Sequence, residues 1–302
     1  MAVNETFDAP GDLNQSKTVI IPPGGTQKVA LVLAQDAVIA HPLLFRAAVW
    51  FTRAAGPIHA GEFLIPARSS IHQILDILRT GAPVEHRVTI PEGLTAAQIA
   101  RLINATPDAT GTVLPPAEAS LLPQTYDFTL GTNRAEILRR AAQAMRDAVA
   151  KAWAARDQTV PLTSPNDAVT LASIVQEETP IPAELPEIAA VYENRLAKGM
   201  KLQADPTVIY ATTQGATASG VAITHTDLAT PSPYNTYAIP GLPPGPICAP
   251  GIAAIQAVLH PARTGALYFV ATGNGGHVFA TTYQDQLANI ASHRVRERHG
   301  AD

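Results

Sequence analysis

Between Ser164 and Pro180 the chain reads S-P-N-D-A-V-T-L-A-S-I-V-Q-E-E-T-P, a pattern that fits a single helix. Ser164 is a good N-cap, Pro165 suits the first helical position, and Asp167 puts a carboxylate where the helix dipole favours it. Pro180 blocks further growth. At about 100° per residue, Ala168, Leu171, Ile174, Val175 and Glu178 share one stripe, and Glu177 falls with Thr170 and Ser173 on a polar side. The wheel therefore directs Glu178 at an apolar face and Glu177 at water. A buried carboxyl keeps its proton to higher pH, as a general acid near neutrality requires. Taken alone, the pattern fits better a helix that frays early and leaves Glu178 as an ordinary acid at its end.

The 302 residues suffice for two domains or one large one, with no need of disulfide or metal support. A net charge of -4 and a pI of about 6.1 give no basic patch of the nucleic-acid type, so no nucleic-acid partner is expected. The single cysteine, Cys248, excludes an internal disulfide and a cysteine metal cluster. Flanked by Ile247 and Ala249, it reads as a core thiol rather than a nucleophile. No phosphate loop, dinucleotide fingerprint, H-E-x-x-H or G-x-S-x-G is present, and the histidines lack ligand spacing. Neither metal nor cofactor is therefore expected. The longest apolar stretch, 29–51, is interrupted by Gln35, Asp36, His41, Pro42 and Arg46, and no secretory leader is visible. The reading is of a soluble polypeptide.

Along the chain, residues 1–16 read as a loose lead-in. A strand near 18–21 precedes helices over 27–37 and 42–54, then a strand over 61–66. Ser70 and Gln73 form an S-x-x-Q capping box before a further helix. I-P-P-G-G-T at Ile21–Thr26 recurs as I-P-E-G-L-T at Ile90–Thr95, and Thr95 with Gln98 makes a second capping box. This strand–turn–helix unit resembles the half-motif of LysM sugar-binding modules. Residues 105–133 read as loop, 134–155 as a polar-faced helix, and 186–197 as a helix with Ile188, Val191, Tyr192, Arg195 and Leu196 on its inner face, ended by Lys198-Gly199. Residues 200–247 are rich in turn formers but hold enough tyrosine to argue for order. A helix over 251–260, two strands over 266–271 and 277–281 around G-N-G-G, and a helix over 283–298 complete the chain.

Candidate chemistry gathers on the loops after Glu178. Asn194, Gln203, Asp205, Tyr234, Asn235 and Tyr237 suit sugar recognition, because amides and acids bind hydroxyls and aromatic faces stack on sugar rings. Each also suits a cap or turn, Asp205-Pro206 and Tyr234-Asn235 especially. His277 opens a strand, where it either orients a ligand or simply ends the strand.

Five ordered stretches carry a resemblance: L-A-S-I-V-Q-E-E-T (171–179), V-Y-E-N-R-L-A-K-G-M-K-L-Q-A-D-P-T-V-I-Y (191–210), S-P-Y-N-T-Y (232–237), G-L-P-P-G-P-I (241–247) and L-Y-F-V-A with G-G-H-V-F (267–279). Together with I-P-P-G, G-E-F, I-P-E-G-L-T and L-P-Q-T-Y-D-F upstream, they closely resemble the YceG-like endolytic murein transglycosylases over nearly all of residues 17–290. The resemblance implies non-hydrolytic cleavage of the β-1,4 bond between N-acetylmuramic acid and N-acetylglucosamine, leaving a 1,6-anhydromuramyl end. The family's catalytic glutamate precedes the threonine of its V-E-K-E-T pattern, which is Glu178 here. The chain departs from that pattern at Gln176, commonly Glu, and at Glu177, commonly Lys. One glutamate serves as acid and then as base, so no second acid at hydrolase distance is needed.

The fold this implies is α+β, with a LysM-like α/β lobe over 17–110 and an α+β catalytic domain with a C-terminal β-hairpin over 111–302. Peptidoglycan glycan strands are the expected partner, with cell-wall synthesis proteins beside them. The expected place is the bacterial cell envelope, on the outer face of the cytoplasmic membrane. Relatives usually reach it through an N-terminal membrane helix that this chain does not show. Two other readings stand beside this one: a peptidoglycan hydrolase with Asp205 as second acid, and a non-catalytic glycan-binding protein.

Overall fold

The computed structural model describes residues 7–272 and 276–299, the side chains of 293–299 aside. Its described residues combine helices with three two-stranded sheets, the α+β class expected from the sequence. Two compact units are present: residues 1–87, 107–110 and 127–133 form one, and residues 88–106, 111–126 and 134–302 the other. No helix among the described residues is long and apolar enough to cross a membrane.

In the first unit, β1 (Lys17–Ile21) pairs antiparallel with β2 (Gly61–Ile65), Val19 opposite Phe63. Alternation turns Val19, Ile21, Phe63 and Ile65 inward and leaves Ile20 and Leu64 exposed. They join one core with Leu33 of α1 (Thr26–Gln35), Phe45 of α2 (Pro42–Phe51), and Ile74, Leu75 and Leu78 of α3 (Ile71–Thr80). The predicted capping box of Ser70 and Gln73 opens α3. α2 is shorter than expected, ending at Phe51 before a 3₁₀ turn at Arg53–Ala55. Of the lead-in, residues 1–6 lie outside the described residues. Phe7 is buried in this core, and the Asp8 carboxylate lies 2.6 Å from His72 Nδ1, so the described part is docked.

β3 (Glu85–Thr89) pairs with β4 (Thr125–Thr129), and both strands run from one unit into the other. β4 corrects the reading of 105–133 as loop. Its T-Y-D-F-T alternates, with Tyr126 and Phe128 buried and Thr125 and Asp127 outward. The second copy of the repeat follows β3 and leads, through the Thr95–Gln98 capping box, into α4 (Ala96–Ala105) of the second unit.

The second unit is built around α6 (Pro165–Glu178), which packs against α5 (Arg134–Ala154), α7 (Leu185–Ala197), α8 (Asp205–Thr212) and α10 (Ile252–Leu259). Ser164 and Asp167 complete a capping box at its start. Every residue from Ala168 to Val175 is buried, so the predicted polar side is not a water-facing one. Thr170 and Ser173 face neighbouring chain. Ser173 Oγ donates to the Thr170 carbonyl and accepts from the Ile247 N–H at 3.0 Å, and Cys248 Sγ donates to the Ser173 carbonyl. Gly199, at φ +67°, turns the chain after α7. α8 corrects the reading of Asp205-Pro206 as a turn, since these residues open a helix that tolerates proline in its first turn. α9 (His225–Leu228) is one short turn with its own Thr224–Asp227 capping box. β5 (Tyr268–Ala271) and β6 (His277–Ala280) pair antiparallel, Phe269 opposite Phe279, before α11 (Tyr283–His299). The predicted turn residues Gly273, Asn274 and Gly275 lie outside the described residues.

Candidate active site

Glu178 is the last residue of α6, and its carboxyl meets α7. The Tyr192 hydroxyl, in a side chain only 1% exposed, donates to Glu178 Oε1. Burial is the main reason that the Glu178 pKa rises from an ordinary 4.5 to about 7. The Tyr192 hydrogen bond and the Arg195 charge oppose that rise, and the charges of Asp205 and Glu177 add to it. Near neutrality the group is therefore divided between acid and carboxylate.

Arg195 lies three residues after Tyr192, on the same side of α7. It is 8% exposed, donating from Nε to the Leu267 carbonyl at 2.7 Å and from Nη1 to the Leu202 carbonyl at 2.6 Å. It forms no ion pair among the described residues, yet its charge lowers the pKa of Glu178, Tyr192 and Tyr237. It is a fixed cation behind the site.

α8 and the 232–237 loop bring further predicted residues to this place. Asp205 accepts a 2.6 Å hydrogen bond from the Tyr237 hydroxyl, and its charge reaches Glu178. Burial, then the Asp205 contact, push the Tyr237 pKa up. Gln203 is exposed between buried Leu202 and Ala204, and its backbone is held at φ +51°, where a residue with a Cβ is uncommon. Its N–H donates to the Thr236 carbonyl, and Thr236 Oγ1 accepts from the Ala204 N–H at 2.9 Å. These bonds fasten the loop to the start of α8.

His277 is tied to the same neighbourhood through Glu184. Its Nδ1 lies 2.8 Å from Glu184 Oε2, and its backbone N–H donates to Glu184 Oε1 at 2.9 Å. The Thr179 hydroxyl, directly after Glu178, donates to Glu184 at 3.0 Å. Burial disfavours ionised Glu184, but hydrogen bonds from His277 and Thr179 outweigh it and hold the pKa below the ordinary value. The His277 ring meets Phe269 edge-on, and Phe269 meets Tyr192 edge-on.

The other candidates are occupied elsewhere. Asn235 is fully buried; its Nδ2 donates to the Leu228 and Thr230 carbonyls and its Oδ1 accepts from the Tyr237 N–H. Asn194 Nδ2 donates to the Thr264 and Ala266 carbonyls, both at 2.9 Å. Side-chain amides that suit sugar hydroxyls suit backbone carbonyls equally. Tyr234 packs its ring 4.9 Å from that of Tyr210, whose hydroxyl donates to Glu118. Burial likewise raises the Glu118 pKa to about 7.

Glu177 does not point at water, as the wheel suggests. It is half-buried, and a methyl group at Gly93 (φ +82°) would collide with its carboxylate. Burial raises its pKa against hydrogen bonds from Ser219 and Cys248. Gln176 Oε1 accepts the Gly251 N–H at 2.9 Å, so this side chain braces the start of α10. Burial also holds the Cys248 thiol protonated, in keeping with a core role. No three His, Cys, Asp or Glu side chains converge on a metal position among the described residues. Tyr192 and Arg195 are the residues that sequence reasoning placed on an inner helix face without giving them a part in the site. Their three-residue spacing was the available signal.

Residues 19–292 match the YceG-like family. The chain belongs to that family. An endolytic murein transglycosylase of Bacillus subtilis is 30% identical over 306 aligned residues, covering 89% of this chain and 83% of that protein. One from Streptococcus pneumoniae is 27% identical over 94% of this chain, and the chain spans 60% of that relative's length. The fold of this YceG-like chain is similar to a crystal structure of a YceG-like protein from Listeria monocytogenes. The TM-score is 0.54 at 27% identity, covering 91% of this chain and 98% of the other.

Proposed function

We propose that this YceG-like chain is an endolytic lytic transglycosylase that cleaves the β-1,4 bond between N-acetylmuramic acid and N-acetylglucosamine in peptidoglycan, with Glu178 as its one acid and base. The observation that carries the reading is the Glu178 carboxyl at the end of a buried helix, its pKa near 7 and its orientation held by the Tyr192 hydroxyl. The names of the relatives, endolytic murein transglycosylase, support it.

Protonated Glu178 gives its proton to the glycosidic oxygen as the bond to the muramyl C1 breaks. Positive charge builds at C1, and the new carboxylate faces it. The carboxylate then removes the proton of the muramyl O6 hydroxyl while O6 closes on C1. The 1,6-anhydro end forms, Glu178 is again protonated, and no water is consumed. Tyr192 and Arg195 favour the carboxylate after the first transfer. The exposed Gln203 and the Asp205–Tyr237 pair are the assigned sugar contacts, and His277, through Glu184, steadies the chain beside Thr179. The LysM-like strand–turn–helix units bind glycan, on the outer face of the cytoplasmic membrane.

Asp205 is near enough for its charge to raise the Glu178 pKa, and this favours one second reading. As a general base for water it would make the protein a hydrolase. Mass spectrometry of digested peptidoglycan decides between them. Anhydro products, one water lighter than reducing ends, formed by wild type and Glu177→Gln but not by Glu178→Gln, are expected. Reducing ends that need Asp205 would establish the hydrolase, and glycan binding without products would establish a non-catalytic protein.

A further inference from the structure

The outward face of α2 is the reverse of what a water-facing helix presents. On the wheel, Leu43, Arg46, Ala47 and Trp50 fall within about 100° of one another, with Leu44 and Phe51 on the flank. Phe45 and Ala48 point the other way, into the core. Leu43 is 74% exposed, Trp50 60% and Phe51 59%. The outward face of α5, by contrast, carries Arg139, Gln143, Arg146 and Asp147. A contiguous exposed apolar face on a helix whose other side is fully packed points to a partner.

Charge narrows the choice of partner. The sequence has no Asp or Glu between Asp36 and Glu62, whereas Arg46 and Arg53 are both exposed on this surface. Neither arginine forms an ion pair among the described residues. Arg53 lies 4.7 Å over the Trp50 ring and donates to the Trp50 carbonyl. Between the start of α1 and α2 lies a concavity of about 590 Å³, lined by both arginines, Leu43 and Trp50, with no carboxylate. We propose that this face of α2 docks on an anionic lipid surface. Tryptophan, phenylalanine and leucine would sit at the headgroup–acyl boundary, while arginine stems cover the rings and guanidinium groups reach lipid phosphates. A second copy would bring cation against cation. A glycan strand would find the Trp50 ring to stack on but neither amide nor carboxylate on the wheel face to fix its hydroxyls.

The test is co-sedimentation of the full chain with vesicles. Binding to equimolar phosphatidylglycerol and phosphatidylcholine, weakened by salt and lost with phosphatidylcholine alone, is expected. Trp50→Ser with Phe51→Ser should lower partitioning at least about tenfold. Arg46→Ala with Arg53→Ala should lower it about twenty-five-fold, since each basic residue contributes about fivefold. The melting temperature of every variant should stay near that of wild type, because these side chains lie outside the core. Wild type left in the supernatant with anionic vesicles, or binding that ignores these substitutions, overturns the proposal. So does a dimer in light scattering, or retention on purified glycan strands, that the same substitutions abolish, since the face would then belong to a second copy or to sugar.

Discussion

Replacing Glu178 with glutamine should make the protein more stable above neutrality and leave it nearly unchanged in acid. The reasoning starts from burial. An ordinary glutamate ionises near 4.5, and Glu178 ionises near 7 in the folded chain. Between those two values the folded protein keeps a proton that the unfolded chain has released. Folding stability therefore falls as pH rises through this window and levels off above it. At about 1.4 kcal/mol for each pH unit, the ionised carboxylate costs folding roughly 3 kcal/mol by pH 8. Glutamine keeps an oxygen for the Tyr192 hydroxyl and carries no charge, so it recovers much of that cost. For a chain of this length the gain corresponds to a rise in Tm of roughly 5 °C. Calorimetric unfolding of wild type and Glu178→Gln at pH 5 and pH 8 measures it. An equal effect at both pH values, or a loss of stability at pH 8, would refute the account of Glu178 as a desolvated acid.

Other substitutions probe the surroundings. Tyr192→Phe removes the hydrogen bond that lowers the Glu178 pKa, so the basic limb of the kcat/KM profile should move upward, by about one pH unit; a limb that stays or moves down contradicts the assignment. Gly93→Ala combines a strained positive φ with a collision against Glu177 and should cost about 1–3 kcal/mol in urea unfolding. Adding Glu177→Ala should return only the collision part. Asn235→Ala strands two buried carbonyls and a backbone N–H and should cost about 3 kcal/mol or more. Unchanged thermal stability with a raised KM would instead restore Asn235 as a sugar contact.

The central helix was legible because its ends are chemically marked: Ser164 and Pro165 start it and Pro180 follows its end. That Glu178 faces the apolar side also followed from periodicity, since it shares a stripe with Leu171 and Ile174. The environment of Glu177 did not, because a wheel assumes one wet side and α6 has neighbours on all sides. Thr170 and Ser173 fall on the supposed wet side for the same reason, although small hydroxyls do enter cores: Ser173 Oγ pairs with the Thr170 carbonyl and the Ile247 N–H, and Thr170 Oγ1 is buried without a hydrogen-bond partner among the described residues. β4 escaped because five residues among prolines and threonines give alternation too short to distinguish from loop. Where the amides of Asn194 and Asn235 turn was not legible, because residue type fixes what an amide can bond and not which partner it meets. Tyr192 was visible as a buried residue, but its hydroxyl finds Glu178 only through the packing of two helices.

The position of Glu178 as the final residue of a 14-residue helix has an electrostatic consequence. The aligned peptide units of such a helix place about half a negative charge at its C-terminal end, and no basic side chain in the last turn offsets it. In the proposed reaction the carboxylate is thus born into a negative field, which would favour the protonated acid before the reaction and sharpen the base afterwards. The same field favours positive charge growing on a sugar carbon held beside it. Under the proposed mechanism the helix backbone would itself act as a reagent, supplying to the transition state a fixed charge that no side-chain substitution can remove.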